Sequence, residues 1–378
     1  MTTHAHARTA ARRRTSWCAA GLTTLALALT GCGAVGSTGA VEAPLVGVAM
    51  PTTTSDRWIG DGENVQDQLE ALGYGVDLQY AENDVPTQVE QLSAMIAAGA
   101  DALVVGSIDG VALKDVLADA AAADIPVIAY DRLIRESPDV DYYATFDNQR
   151  VGVQQATTLL QGMGVLDAAG QPTGAPGPFV VELFAGSADD NNATVFYEGA
   201  MTVLQPYLDA GTLVVPSGQT DFAAIETPAW DPKNATARMQ ELLPAYTGTG
   251  VTLDGVLSPY DGISRAILES LRGIGYGTDA QPFPTVTGQD AEVDSARSIV
   301  AGEQYATVYK DTRQLAEVAV AMVHALLEGV EPETNDLTSY DNGVKVVPSY
   351  LLTPQVVTRE NYEAVLVDGG YYTAQELS

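Results

Sequence analysis

The sequence predicts an α/β protein of two doubly wound parallel-sheet lobes joined by a multi-stranded hinge. Three observations carry this. Short apolar strands alternate with amphipathic helices, the alternation starts afresh near the middle of the body, and 378 residues are too many for one such core. Apolar strands separated by helical stretches are the pattern of βαβ units and a parallel sheet. A chain of this length suits two domains better than one.

The first series opens with Ala43–Met50, a short apolar run stopped by Pro51 and Thr52. Helical character follows over Asp61–Leu72, and Val76–Tyr80 reads as a second strand. Between Pro86 and Ala98, Val89, Leu92, Met95 and Ile96 share one helical face. Strand Ala102–Gly106, helix Leu113–Ala123 and strands Ile125–Tyr130 and Asp141–Thr145 complete the series. The second series runs through helix Val153–Met163, strand Phe179–Phe184, helix Asn192–Leu208 and strand Leu213–Val215. Helix Ala235–Tyr246 and strands Asp254–Ser258 and Thr285–Thr287 follow. The break at Thr145–Gln149 is the expected first crossover. Helix Gln314–Leu327 is expected to return to the first lobe, and Pro348–Leu352 to form a last strand near the hinge. Residues 44–147 with 310–346 are thereby assigned to the N-terminal lobe, and 148–309 with 347–378 to the C-terminal lobe.

The N-terminal residues read as an export signal. Arg8, Arg12, Arg13 and Arg14 precede an apolar, small-residue stretch from Trp17 to Leu29, which ends in Leu29-Thr30-Gly31-Cys32. A positive start, a short apolar run and small residues before a cut site describe a secretory signal peptide. The run is short for a membrane span. Leu-Thr-Gly-Cys resembles the bacterial lipobox. That resemblance implies a signal peptide over residues 1–31 and lipid on Cys32, which would be the protein's only attachment to the outer face of the cell membrane. Residues 32–43, small and Gly/Ser-containing, read as a flexible tether. With Cys18 in the leader and Cys32 lipidated, the body has no thiol for a disulfide, a zinc site or a nucleophile.

Formal net charge is −31, and four of the positive charges lie in the leader, so the body is more acidic still. Such a surface repels nucleic acid and anionic headgroups. Acidity alone could mean disorder, but 46% of the residues are apolar, which supports a packed core.

Doubly wound lobes bind ligands where the carboxyl ends of their strands face a shared cleft. The residues expected there are Asp56-Arg57-Trp58, Asp131-Arg132, Asp189-Asp190-Asn191-Asn192, Trp230-Asp231, Tyr260-Asp261, Gln289-Asp290 and Lys310. Nearly every strand end carries a planar polar group. This suits a hydroxyl-rich ligand such as a sugar: Asp accepts, Arg and Lys donate, and Asn does both. Charge-assisted bonds of this kind are roughly twice as strong as neutral ones. Trp58 and Trp230, the two Trp outside the leader, offer flat apolar area to the C–H face of a ring. Taken singly, each feature has a plainer explanation. Asp131-Arg132 could be a surface ion pair worth about 0–1 kcal/mol, Asn191-Asn192 a helix cap, the Trp ordinary core, and Lys310 solvated. Those explanations do not predict recurrence at strand after strand.

Several stretches, in order, carry a family resemblance: Arg57-Trp58, Val127–Arg132, Ala144–Asn148, Asp190–Ala193, Trp230–Pro232, Ser258–Gly262, Thr287–Glu292, Thr307–Lys310 and Val346–Ser349. Together they resemble the type I periplasmic sugar-binding proteins of ABC transporters, in the branch that binds xylose and multiple monosaccharides. The resemblance implies a binding protein and not an enzyme, without cofactor or metal. It implies hinge closure around xylose, glucose, galactose or a similar aldopyranose, and docking of the closed form on a permease. Carried over by position, Arg57, Asp131, Arg132, Asn191 or Asn192, Asp261, Asp290 and Lys310 are expected to bond sugar hydroxyls, and Trp58 and Trp230 to stack on the ring. Tyr260 stands where xylose-binding members have Asn, which points to broader use of aldopyranoses. A monomer is expected.

Three rivals were weighed against this. A glycoside hydrolase needs one carboxyl kept as an acid, whereas the candidate carboxylates are matched with Arg, Lys or Asn, which would keep them ionised. No GxSxG, HExxH or P-loop pattern is present. A sugar-responsive repressor would carry a DNA-binding headpiece where the leader stands. A sugar sensor presenting its closed form to a receptor kinase is compatible with every feature above.

Overall fold

The structure, a computed structural model, describes residues 43–378. The leader, Cys32 and nearly all of the tether lie outside the described residues.

The first lobe is built from β1 (Leu45–Met50), α1 (Asp56–Ala71), β2 (Gly75–Tyr80), α2 (Val85–Ala97), β3 (Ala102–Val105), α3 (Lys114–Ala122), β4 (Val127–Tyr130) and β5 (Tyr142–Phe146). The chain then crosses into α4 (Asn148–Gly162), β6 (Phe179–Leu183), α5 (Asn191–Asp209), β7 (Leu213–Val214), α6 (Phe222–Ile225), α7 (Pro232–Leu242), β8 (Gly255–Leu257), α8 (Asp261–Arg272), β9 (Thr285–Val286), α9 (Val293–Ala301) and β10 (Ala306–Tyr309). It returns through α10 (Thr312–Leu327) and ends in β11 (Ser349–Leu352) and β12 (Gln355–Thr358).

The first sheet has the order β11-β5-β4-β3-β1-β2 and is parallel throughout. Its inner strands β1, β3 and β4 are buried on both faces, which is why they read as continuous apolar runs. Alternate side chains serve opposite layers. Leu103 and Val105 pack with Leu92, Met95 and Leu117 of α2 and α3. Val104 and Ile128 pack with Leu69 of α1 and with Leu315, Ala319 and Val323 of α10. Burying each Leu or Val of that stripe contributes about 1.5–3 kcal/mol, and this holds α10 on the first sheet.

The second sheet runs β7-β6-β8-β9, all parallel. A parallel bridge from Gln289 to Val308 extends it to β10, which pairs antiparallel with β12. Helices α4 and α5 cross closely on one face. A Cβ on Gly152 would lie 1.9 Å from the Phe196 carbonyl oxygen, and one on Gly199 2.3 Å from that of Gln149. Only glycine allows that approach, and it sets α5 with its N-terminus at the first lobe.

One boundary is corrected. Residues 347–352 had been assigned to the second lobe, but Ser349–Leu352 pair in parallel with Tyr143–Phe146 of the first sheet. The strand's partner lies about two hundred residues earlier, and strand composition carries no mark of its partner. The chain therefore crosses between the lobes three times: after Phe146, at Lys310-Asp311 and at Thr353-Pro354. Main-chain and side-chain bonds tie these crossovers together, Asp147 N to Leu352 O at 2.9 Å and Gln154 Nε2 to Pro354 O at 3.1 Å.

Candidate functional site

The carboxyl ends of the two sheets face each other across a cleft that holds a cavity of about 490 Å³. Helix α1 begins at Asp56, five residues before its apolar spacing suggested. Arg57 and Trp58 therefore stand in its first turn, both buried. Arg57 Nε donates to Asp61 Oδ2 at 2.7 Å, Nη2 donates to Asp131, and Nη1 lies 3.7 Å from Asp290 Oδ1. Asp61 also accepts from the Tyr130 hydroxyl. Burial pushes the Asp61 carboxyl up to about 6 against the pull of Arg57. Burial also opposes the Arg57 charge, but Asp131, Asp61 and Asp290 outweigh it and raise its pKa.

Asp131 ends β4 in the left-handed region, at φ 58°, a conformation that costs a non-glycine residue about 1 kcal/mol or more. Three donors on its carbonyl hold it there: Tyr143 Oη at 2.5 Å, Thr145 Oγ1 at 2.9 Å and Asn192 Nδ2 at 2.9 Å. Burial would raise the carboxyl pKa. Arg57, Lys310 (Nζ 3.5 Å away) and Arg132 instead hold it well below the usual carboxylate range. Arg132 Nε meets Asp190 Oδ2 at 3.0 Å, and its Nη1 donates to Ser107 O at 3.1 Å. Asp190 caps α5 by accepting from Asn192 N at 2.9 Å. Burial raises its pKa against the pull of Arg132. Lys310 Nζ lies 3.1 Å from Asp290 Oδ1.

The guanidinium carbons of Arg57 and Arg132 lie 4.5 and 5.1 Å from the Trp58 ring centroid, so cations meet part of its π surface. Trp230 meets Phe196 and Tyr260 edge-on, with centroids 6.4 and 6.3 Å away. A Cβ on Gly186 would lie 2.0 Å from Trp230 Cη2, so only glycine there leaves room for the ring. Two buried polar atoms of cavity-lining residues have no partner among the described residues, Gln289 Oε1 and Trp230 Nε1, while Asp290 Oδ1 has only its ion pairs with Lys310 and Arg57. Unmet polar groups of this kind cost about 1–3 kcal/mol each.

The structure thus brings Arg57, Trp58, Asp131, Arg132, Asn192, Trp230, Asp290 and Lys310 to one cavity. Asn191 does not line it, and Asn192 is the residue that reaches Asp131. Asp261 does not line it either, which corrects the placement carried over by position. As the first residue of α8 its side chain turns inward. Oδ1 accepts from Gln304 Nε2 at 2.9 Å, and Oδ2 accepts from Glu292 N at 2.9 Å and Thr307 Oγ1 at 3.1 Å. Burial and the neighbouring Glu292 push its pKa well above the usual range. The expectation that every candidate carboxylate is held ionised therefore fits Asp131, while Asp190 and Asp261 shift the other way. Among the described residues no group of three or more His, Cys, Asp or Glu is placed to hold a metal ion.

The sequence profile described as the periplasmic binding protein domain matches residues 46–331. The chain belongs to the periplasmic binding protein family. Over 338 residues this binding protein is 56% identical to the multiple sugar-binding periplasmic receptor ChvE of Rhizobium radiobacter, covering 89% of the chain and 93% of the relative. It is 33% identical to the D-xylose-binding periplasmic protein of Escherichia coli K12, over 88% of the chain and 92% of the relative. Its fold matches an ABC transporter solute binding protein from Clostridium phytofermentans, solved with bound β-D-glucose. The TM-score is 0.82 at 44% identity, over 88% of this chain and 100% of the other. These relatives bear out the family and branch expected from the sequence.

The wall also includes Phe196, Lys233 and Arg265, none of them near a strand end in the sequence, beside Asp190, Tyr260 and Gln289, which were expected at the cleft. The cap expected at Asn191-Asn192 falls instead on Asp190, which also pairs with Arg132. Phe196 lies one helical turn past Asn192 on the same face, a spacing that could have located it.

Proposed function

We propose that this protein is the extracytoplasmic capture component of an ABC sugar importer. It closes its two lobes on one aldopyranose, such as glucose, galactose or xylose, and hands it over unchanged. The observation that carries this is the pair of unpartnered polar atoms, Gln289 Oε1 and Trp230 Nε1, on the wall of a cavity that also holds ionised Asp131 and the cations Arg57, Arg132 and Lys310. Sugar hydroxyls donate and accept together, so one ring can satisfy both kinds of group. Trp230 supplies flat apolar area for its C–H face.

A binding role suits the electrostatics. Arg57 and Lys310 keep Asp131 as an acceptor, not as an acid. Asp190 is engaged by Arg132 and by the amide of Asn192. The reading assigns sugar contacts to Arg57, Asp131, Arg132, Asn192, Asp290 and Lys310, with Trp58 and Trp230 as aromatic walls. Lipid on Cys32 would keep the protein at the membrane, and a permease would receive the closed form.

Calorimetric titration with D-glucose, D-galactose and D-xylose tests the proposal. Saturable one-to-one binding of at least one sugar, recovered unaltered by chromatography, is the expected result. No heat with any of the three, or conversion of the sugar, would overturn it.

A further inference from the structure

Helices α1 and α9 begin on opposite lobes, and Ser55 and Glu292 are the residues just before them. Ser in this position ordinarily accepts a hydrogen bond from a backbone N–H of its own helix. Neither side chain does so here. Instead Ser55 Oγ donates to Glu292 Oε1 at 2.7 Å, between residues 237 positions apart.

The acceptor is well held. The Tyr260 hydroxyl donates to the same Oε1 at 2.7 Å, and Arg265 Nη2 pairs with Oε2 at 2.7 Å. Tyr260, Arg265 and Glu292 all belong to the second lobe, and Glu292 is buried. Ser55, Tyr260 and Arg265 line the main cavity, whereas Glu292 lines a neighbouring crevice of about 420 Å³. The Ser55–Glu292 bond therefore stands in the partition between the two spaces, where the lobes touch.

Resting on the reading of this protein as a sugar-capture component, we propose that Ser55 and Glu292 form a latch, made only when the lobes meet, that sets how long the sugar is retained. The two partners respond differently to opening. Glu292 keeps Arg265 and Tyr260, so its buried carboxylate stays satisfied. Ser55 loses its partner and turns to cap its own helix at the N–H of Arg57, since that of Trp58 already bonds the Ser55 carbonyl at 3.1 Å. The hydroxyl oxygen changes from donating to Glu292 to accepting from its own helix, so opening leaves neither group stranded. The release rate then depends on the difference between two hydrogen bonds. Both residues position the closed lobes, and the sugar itself is held by the groups described above.

Stopped-flow measurement of D-glucose association and release, or of whichever of the three sugars binds, tests this in the full mature chain. Ser55→Ala is expected to raise the release rate about fivefold, the excess of a hydrogen bond to a charged group over a helix cap. Association should change less than twofold, and Ser55→Thr, which keeps the hydroxyl, should restore wild-type release. In a Glu292→Ala background, Ser55→Ala should have no further effect. Release from Ser55→Ala within twofold of wild type, or independent effects of the two substitutions, would overturn the latch while leaving sugar capture intact. If wild-type protein binds none of the sugars, the capture reading fails, and the latch with it.

Discussion

Replacing Asp131 by Asn keeps the shape of the side chain and removes its charge. Folding should suffer as well as binding, because Asp131 is only 2% exposed and serves both Arg57 and Lys310. Breaking a buried pair by removing one partner costs about 3–5 kcal/mol. Here Arg57 retains Asp61 at 2.7 Å and Lys310 retains Asp290 at 3.1 Å, so the low end, about 3 kcal/mol, is expected. Sugar binding should also weaken, by about 1.5–3 kcal/mol for one charged acceptor, or roughly 10- to 100-fold in Kd. The sign of the pH dependence follows from the depressed pKa. The contribution of Asp131 is complete above the ordinary carboxylate value and is lost as pH falls through the lower folded-state value. Urea unfolding of the ligand-free protein gives the stability term, provided the denaturant slope is unchanged, and calorimetry gives the affinity. An unchanged midpoint would show that Asp131 is not a buried counter-ion. Unchanged affinity would remove it from the site.

Asp61 should show the opposite pH behaviour. Its folded-state pKa of about 6 lies above the ordinary value, so its contribution to stability improves as pH falls from 7 through 6. Asp61→Asn should abolish that gain, and identical melting temperature–pH curves for the two proteins would refute it. Gly186→Ala should push Trp230 aside, at a cost of about 1–3 kcal/mol for overpacking. Shifted tryptophan emission and weaker sugar binding are expected, and an unchanged spectrum with unchanged affinity would show that the ring had room. Cys32→Ser should release the protein into the medium with sugar binding intact, and a variant that stays with the membrane fraction would count against lipid anchoring.

The alternation of strands and helices was legible because strands buried on both faces must be apolar throughout, and helices packed on one side must be apolar at every third or fourth residue. Helix starts were harder to place. The start of α1 at Asp56 was hidden because Arg57 and Trp58 face the cleft and break the apolar spacing. Helices α8 and α9 were passed over beside the more conspicuous strand-end residues Asp261 and Asp290. Most of the cavity wall could be found from strand ends, since the fold forces those residues together. Asp261 shows where that reasoning fails. Its position in the chain fits the cleft, but the first turn of α8 points its carboxyl at Gln304 and Thr307, a choice made by rotamer and packing. The pairing of Ser349–Leu352 with β5 was illegible for a related reason, because parallel partners are selected by the assembled sheet.

That last pairing bears on the order in which the molecule can be finished. The first sheet takes its edge strand from Ser349–Leu352, and β10 takes its partner from Gln355–Thr358. A chain delivered from its N-terminus therefore presents β5 as an open sheet edge until almost every residue has arrived. Such edges invite pairing with other chains. Neither lobe is complete before the other, so a truncation of a few dozen C-terminal residues would leave two unfinished sheets instead of one intact lobe and one damaged one.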